Sequence, residues 1–138
     1  MTALWPPYHF TLVVDDVPRA MEDLTRLFGI QWTRVQADGL FAYSLQGPPY
    51  LELLKRVDGT IHDSTGLHHV GVWVDDPQQE SNRLASLGAP LEFVRRDSEG
   101  RWLPGCFHKT ADGLRIELVT IGTSGPKLIH LLSGRDYE

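Results

Sequence analysis

Four residues stand at matching places in two stretches of this chain, and together they could hold one divalent metal ion. Tyr8-His9-Phe10-Thr11-Leu12-Val13-Val14-Asp15-Asp16 is echoed by His68-His69-Val70-Gly71-Val72-Trp73-Val74-Asp75-Asp76. In each, a His opens a mostly apolar run that closes on Asp-Asp. Further along, Tyr50-Leu51-Glu52-Leu53-Leu54 is matched by Arg115-Ile116-Glu117-Leu118-Val119. Imidazole nitrogen and carboxylate oxygen are the donors divalent ions take from proteins. A carboxylate flanked by leucines is costly to bury unless a cation, a hydrogen-bond network or a raised pKa compensates it. Two imidazoles and two carboxylates at equivalent places of two repeats are most simply satisfied together, by one shared ion.

The elements that must carry them can be read from periodicity and punctuation. Residues 8–14 form a short β-rich run. Asp15-Asp16 can cap a helix, Pro18 sits in its first turn, and apolar positions from Val17 to Phe28 repeat helically until Gly29 stops them. Three short β-like runs follow at 30–35, 40–45 and 50–57, with Asp38-Gly39 and Gly47-Pro48-Pro49 as turns. Residues 58–66 read as a linker. The second half repeats the order: a strand over 67–74, a helix over 78–87 ended by Gly88, then strands over 91–96, 105–110 and 114–120. The expected fold is α+β within a single domain, 1–138. Two tandem βαβββ modules, 8–57 and 67–120, would form a curved, cup-shaped mixed sheet with helices on its outside. Residues 121–138 fall outside the repeat; Leu128, Ile129, Leu131 and Leu132 could pack back on the domain or on another subunit.

Alternation along strands puts His9 with Thr11, His69 with Trp73, Glu52 with Tyr50 and Leu54, and Glu117 with Arg115 on one face. Thr11, Tyr50, Leu54, Trp73 and Arg115 are therefore the expected substrate pocket, with Arg115 a possible grip for an anion. The opposite face carries Leu51, Leu53, Val70, Val72, Ile116 and Leu118, which suit packing under helices. His68 should point away from His69, and His62, His108 and His130 should lie at the surface. Cys106 reads as a small buried apolar residue.

With 138 residues, 41% hydrophobic and 22% charged, the composition is that of an ordinary globular chain. A net charge of -5 argues against a nucleic-acid or anionic-membrane binder. No apolar run approaches the ~20 residues that cross a bilayer, and the N-terminus lacks the pattern of a signal peptide, so a cytoplasmic location is expected.

The paired βαβββ modules, the His with Asp-Asp behind it and the Leu-Glu-Leu of each closing strand resemble the vicinal oxygen chelate superfamily. That group includes glyoxalase I, methylmalonyl-CoA epimerase, extradiol dioxygenases and bleomycin- and fosfomycin-resistance proteins. The resemblance covers residues 8–120 and implies His9, Glu52, His69 and Glu117 as ligands of one divalent ion (Ni, Zn, Co, Mn, Mg or Fe). Four protein ligands resemble the glyoxalase and epimerase branch more than the dioxygenases, which use two His and one carboxylate; the epimerases typically carry an amide where Glu52 stands. By the same analogy the chemistry is removal of a proton next to a carbonyl held at the ion, in an isomerase, epimerase or lyase, with Glu117 and Glu52 as base and ligand in either order. The substrate would be a small carbonyl compound or thioester, and the family commonly forms homodimers. Two alternatives stand beside it. One is a sequestering protein that holds an aromatic drug or natural product among Trp73, Tyr50, Trp32 and Trp102. The other is an iron-dependent ring-cleaving dioxygenase.

Overall fold

In the computed structural model residues 3–134 are described, and they build one seven-stranded sheet. The first half supplies β1 (His9–Val14), α1 (Val17–Phe28), β2 (Phe41–Tyr43) and β3 (Tyr50–Lys55). The second supplies β4 (Gly66–Val74), α2 (Pro77–Ser86), β5 (Leu91–Arg96), β6 (Trp102–Lys109) and β7 (Arg115–Thr120), and a third helix, α3 (Ile121–Leu132), closes the chain. The strand order is β2-β3-β1-β4-β7-β6-β5. Each half repeats one plan, in which its first strand lies parallel to its last, β1 to β3 and β4 to β7. The halves meet where β1 and β4 pair antiparallel. The sheet is mixed, open and curled.

The same local device turns each opening strand into its helix. Asp16 accepts from the Arg19 backbone N–H and Asp76 from that of Gln79, each satisfying a free donor of the first turn. Gly29 ends α1 in the left-handed region, at φ 74°. α1 covers the outer face of the first half, where Val17, Ala42 and Leu53 are buried with Leu24 and Leu51 against them. α2 covers the second, over Val72, Val74, Cys106 and Leu118.

Two elements differ from the sequence reading. Residues 30–35 form no strand; they meet the sheet at the isolated bridge Trp32–Ser44, and Gln36 just beyond them makes another with Phe41. Side chains intercept the backbone groups a ladder would need: the Thr33 hydroxyl accepts from the Tyr43 N–H, and the Gln46 side-chain oxygen from the Gln31 N–H. The second is α3, a helix not expected from the sequence. It packs back on the domain, one of the two placements left open for the tail, and does so on the inner face of the sheet. Its Leu128 packs with Tyr8 and Val119, and Tyr43, Tyr50, Trp73 and Leu132 surround them. Leu131 is fully buried, whereas Ile129 is 71% exposed. The inner face is therefore divided, one end closed by α3 and the rest left as a cup.

Candidate metal centre

Four neighbouring strands carry the site across the seam between the halves. His9 begins β1, with Gly71 of β4 opposite it. Thr11, one step along the same face, pairs with Glu52 on β3 and His69 on β4. Gly71 in turn pairs with Glu117 on β7. The curl of the sheet converts these register positions into convergence. His9 Nε2 lies 3.2 Å from His69 Nε2 and 3.5 Å from Glu117 Oε1, and His69 Nε2 lies 3.2 Å from the same carboxylate oxygen. Glu52 stands slightly apart, its Oε1 3.9 Å from His9 Nε2. The Thr11 hydroxyl donates to that oxygen at 2.7 Å, and the Tyr43 hydroxyl bonds to the same carboxyl group. All four side chains belong to one chain.

Donors about 2.1 Å from a common ion are roughly 3 Å apart when adjacent around it. The separations within the His9, His69 and Glu117 trio fit three adjacent positions, and Glu52 lies near enough to be a fourth donor. The chemistry of the set fits as well. Burial lowers the His9 pKa to about 4 and that of His69 to about 3, so both rings are neutral, the form that binds metals. Burial raises Glu52 to about 7 and also pushes Glu117 upward, against the pull of His9 and Arg95. Burial outweighs the charge near these carboxyls, and a divalent cation would supply the further positive charge that favours their ionised forms.

Two glycines make room for this packing. A Cβ on Gly71 would stand 2.0 Å from His9 Cε1, so the imidazole occupies the space of the missing side chain. Gly105, at φ +87°, leaves similar space for Glu117, whose Oε2 would lie 2.9 Å from an added Cβ. Among the described residues, His9 Nδ1 is buried without a hydrogen-bond partner.

A cavity of about 1080 Å³ opens over the site. Glu52 and Glu117, 14% and 20% exposed at their side chains, reach it from the floor. Tyr43, His62, Phe93 and Phe107 contribute to its walls, with Arg95 and Lys127 also on its lining. Of the five residues expected to form the pocket, Leu54 lines this cavity and the others do other work. Thr11 is fully buried beneath Glu52. Tyr50 and Trp73 pack under α3, where Tyr8 stacks on Trp73 with centroids 3.8 Å apart. Arg115 is bound to Glu92 at 2.6 and 3.0 Å. Trp32 and Trp102 belong to the outer clusters beneath the helices.

Three histidines also depart from expectation. His108 is fully buried, set between the Ser81 hydroxyl and the Ala89 carbonyl at 2.7 Å each, and ties α2 to β6. His62 is half-buried on the cavity wall, and His68 touches His69 rather than facing away. Tyr43 and the two glycines escaped the sequence reading. Gly71 had a usable signal, because a glycine inside an apolar strand often marks a close approach; Tyr43 had only its place beside Glu52 in the sheet.

The sequence signature of the Glyoxalase/Bleomycin resistance protein/Dioxygenase superfamily matches residues 8–103. The chain belongs to this superfamily. The match includes β1, β3 and β4 but ends before β7, so the place of Glu117 rests on the geometry above. Solved structures share the superfamily fold at low identity. A Streptomyces coelicolor methylmalonyl-CoA epimerase in complex with 2-nitronate-propionyl-CoA is 19% identical, with a TM-score of 0.60 over 86% of this chain and 95% of that one. The Mycobacterium tuberculosis methylmalonyl-CoA epimerase is 21% identical, with a TM-score of 0.58 over 87% and 91%. A hypothetical protein from Bacillus halodurans is 13% identical, with a TM-score of 0.63 over 83% and 92%.

Proposed function

We propose that this protein is a divalent-metal-dependent enzyme of the glyoxalase and epimerase type, removing a proton next to a carbonyl of a small organic substrate. The observation that carries this is the convergence of His9, His69 and Glu117 within 3.5 Å, beside a raised carboxyl at Glu52 and under an open cavity. His9, His69 and Glu117 would hold the ion, with Glu52 as a further ligand or as the base. An ion bound there would supply Lewis-acid polarisation of the substrate's carbonyl oxygen.

Glu52 is the better candidate for the base. It stands slightly apart from the His9, His69 and Glu117 trio, its Oε1 3.9 Å from His9 Nε2, and it reaches the cavity, where a proton of the substrate would lie. Thr11 and Tyr43 donate to it when it is ionised and keep it aimed at the cavity side of His9. Phe93 and Phe107 give the cavity an apolar wall, and Arg95 and Lys127 on its lining suit a substrate with an anionic group. The fold shared with two epimerases of a CoA thioester supports a thioester or related carbonyl compound as substrate.

Deuterium exchange tests this reading. Protein loaded with Ni, Co or Zn should catalyse exchange beside the carbonyl in a panel of 2-oxo compounds and short acyl thioesters. Glu52→Gln should lower the rate at least 100-fold, in line with loss of a general base. A protein that binds no divalent ion under any of these loadings overturns the proposal.

One observation favours a second reading. Two His and one carboxylate on adjacent positions is also the facial set of iron-dependent oxygenases. Oxygen uptake with a catechol in iron-loaded protein, retained in Glu52→Ala, would favour ring cleavage instead.

A further inference from the structure

β4 does not run regularly through its two histidines. Thr11 pairs with His69, but the next residue, Leu12, pairs with Leu67, so one step on β1 spans two on β4. His68 is the extra residue of this bulge. Bulges re-aim side chains, and here His68 turns toward the site. Its ring centroid lies 5.0 Å from that of His69, 4.5 Å from His62 and 5.9 Å from Phe107. Arg115, held by Glu92, donates from Nη1 to the His68 carbonyl at 3.2 Å and fixes the bulged backbone.

Two short contacts decide where the ring protons sit. His68 Nε2 lies 2.7 Å from the Ile61 carbonyl oxygen, which can only accept, so that nitrogen carries a hydrogen. A neutral imidazole has one such hydrogen, and His68 Nδ1 therefore presents a lone pair. It lies 2.7 Å from His69 Nδ1, which must donate to it. His69 Nε2 is left with its lone pair directed at His9, Thr11 and Glu117. We propose that His68 is a positioning residue that holds the His69 proton on Nδ1 and so keeps His69 Nε2 open as a ligand for a divalent cation. This rests on the metal-centre reading above for its purpose, though the arrangement of protons stands independently.

The device has a competitor to beat. Glu117 Oε1 at 3.2 Å and Thr11 Oγ1 at 3.0 Å both lie beside His69 Nε2. The Thr11 proton is committed to Glu52, so both oxygens can accept and would favour a hydrogen on Nε2, on the side where the ion must sit. Fixing the far nitrogen of a ligand imidazole selects the tautomer that binds. His9 has no such support. Among the described residues its Nδ1 finds no partner, so without an ion its hydrogen belongs on Nε2, near Glu117. His69 is thus the prepared ligand, and His9 must change tautomer to bind.

The test uses ¹⁵N-labelled protein freed of metal, with long-range ¹H–¹⁵N spectra of the imidazoles. His69 should be protonated at Nδ1 and His9 at Nε2. In His68→Leu the His69 proton should move to Nε2; in His68→Asn, whose side-chain oxygen can accept in place of Nδ1, it should stay. Zinc titration should show about 10- to 100-fold weaker binding for His68→Leu, recovered largely by His68→Asn. A His69 proton on Nε2 in the unmodified metal-free protein overturns the relay, and so does unchanged zinc affinity in His68→Leu. Failure of the unmodified protein to bind zinc at all would sink the metal-centre reading instead, while its spectra still decide the relay without any variant having to fold.

Discussion

At Gly71 one missing methyl group decides whether His9 can lie against the sheet. Its partner strand delivers the imidazole into the volume a Cβ would fill, with ring atoms 2.0–2.9 Å from that point. Gly71→Ala must therefore push the ring or the backbone aside, an overpacking change that costs about 1–3 kcal/mol. Urea unfolding should show that loss, and metal affinity should fall more than tenfold if, as proposed, the displaced imidazole is one of the ligands. Gly122→Ala serves as the control: nothing lies within 4 Å of the added Cβ and no positive φ is required. Its unfolding midpoint should stay the same or rise slightly. The residues named from sequence as ligands are the ones that meet here, because duplicated type and spacing survives folding as duplicated position. The glycines that admit them were harder to see, since their role is to be empty.

At the scale of elements, α3 is the piece whose placement most affects the cup. The β-strand face that bears the four candidate ligands also bears Tyr50, Trp73 and Val119, and α3 covers that end of it. The aromatic pocket expected from alternation is consequently a core. Leu131 is fully buried, and truncating it should leave a void costing about 2–5 kcal/mol. Chemical unfolding of Leu131→Ala should show this, with zinc affinity changed less than threefold because α3 contributes none of the four donors. The bulge in β4 is the other instructive element. Alternation predicts that His68 and His69 point apart, and one extra residue in the pairing cancels that rule. A single chain gives no warning of it, because the extra residue exists only relative to the partner strand.

For the whole molecule, the buried imidazoles set the pH response of the metal-free protein. His9 and His62 have values of about 4 and His69 about 3, below the ordinary 6.5, and burial lowers His68 too. As pH falls below about 6.5 the unfolded chain takes up these protons before the folded protein does. Their contribution to stability is complete above that pH and is lost toward pH 4. Glu52, raised from 4.5 to about 7, and Glu117, also raised, act in the opposite sense, since the folded protein then holds protons the unfolded chain has released. His9, His62 and His69 are each lowered by at least as much as Glu52 is raised, so the imidazoles set the sign. The thermal midpoint of chelator-treated protein should therefore fall between pH 6.5 and 4; a midpoint that rises over this range contradicts the buried, neutral state of the ring cluster.

The sequence by itself determined the two-module plan, the capped helices after Asp-Asp, the outer apolar face and the four candidate donors. Those features are local or repeat along the chain, so periodicity and spacing record them. Only the tertiary structure decided that the four candidate donors close upon one another within this chain, that His68 contacts one of them, and that α3 takes the ground expected for substrate. Each of these depends on what lies across from a residue: the curl of the sheet, the register of a neighbouring strand, or a helix returning from beyond the repeat. Chemistry was written in residue types, and access to it was written in pairing.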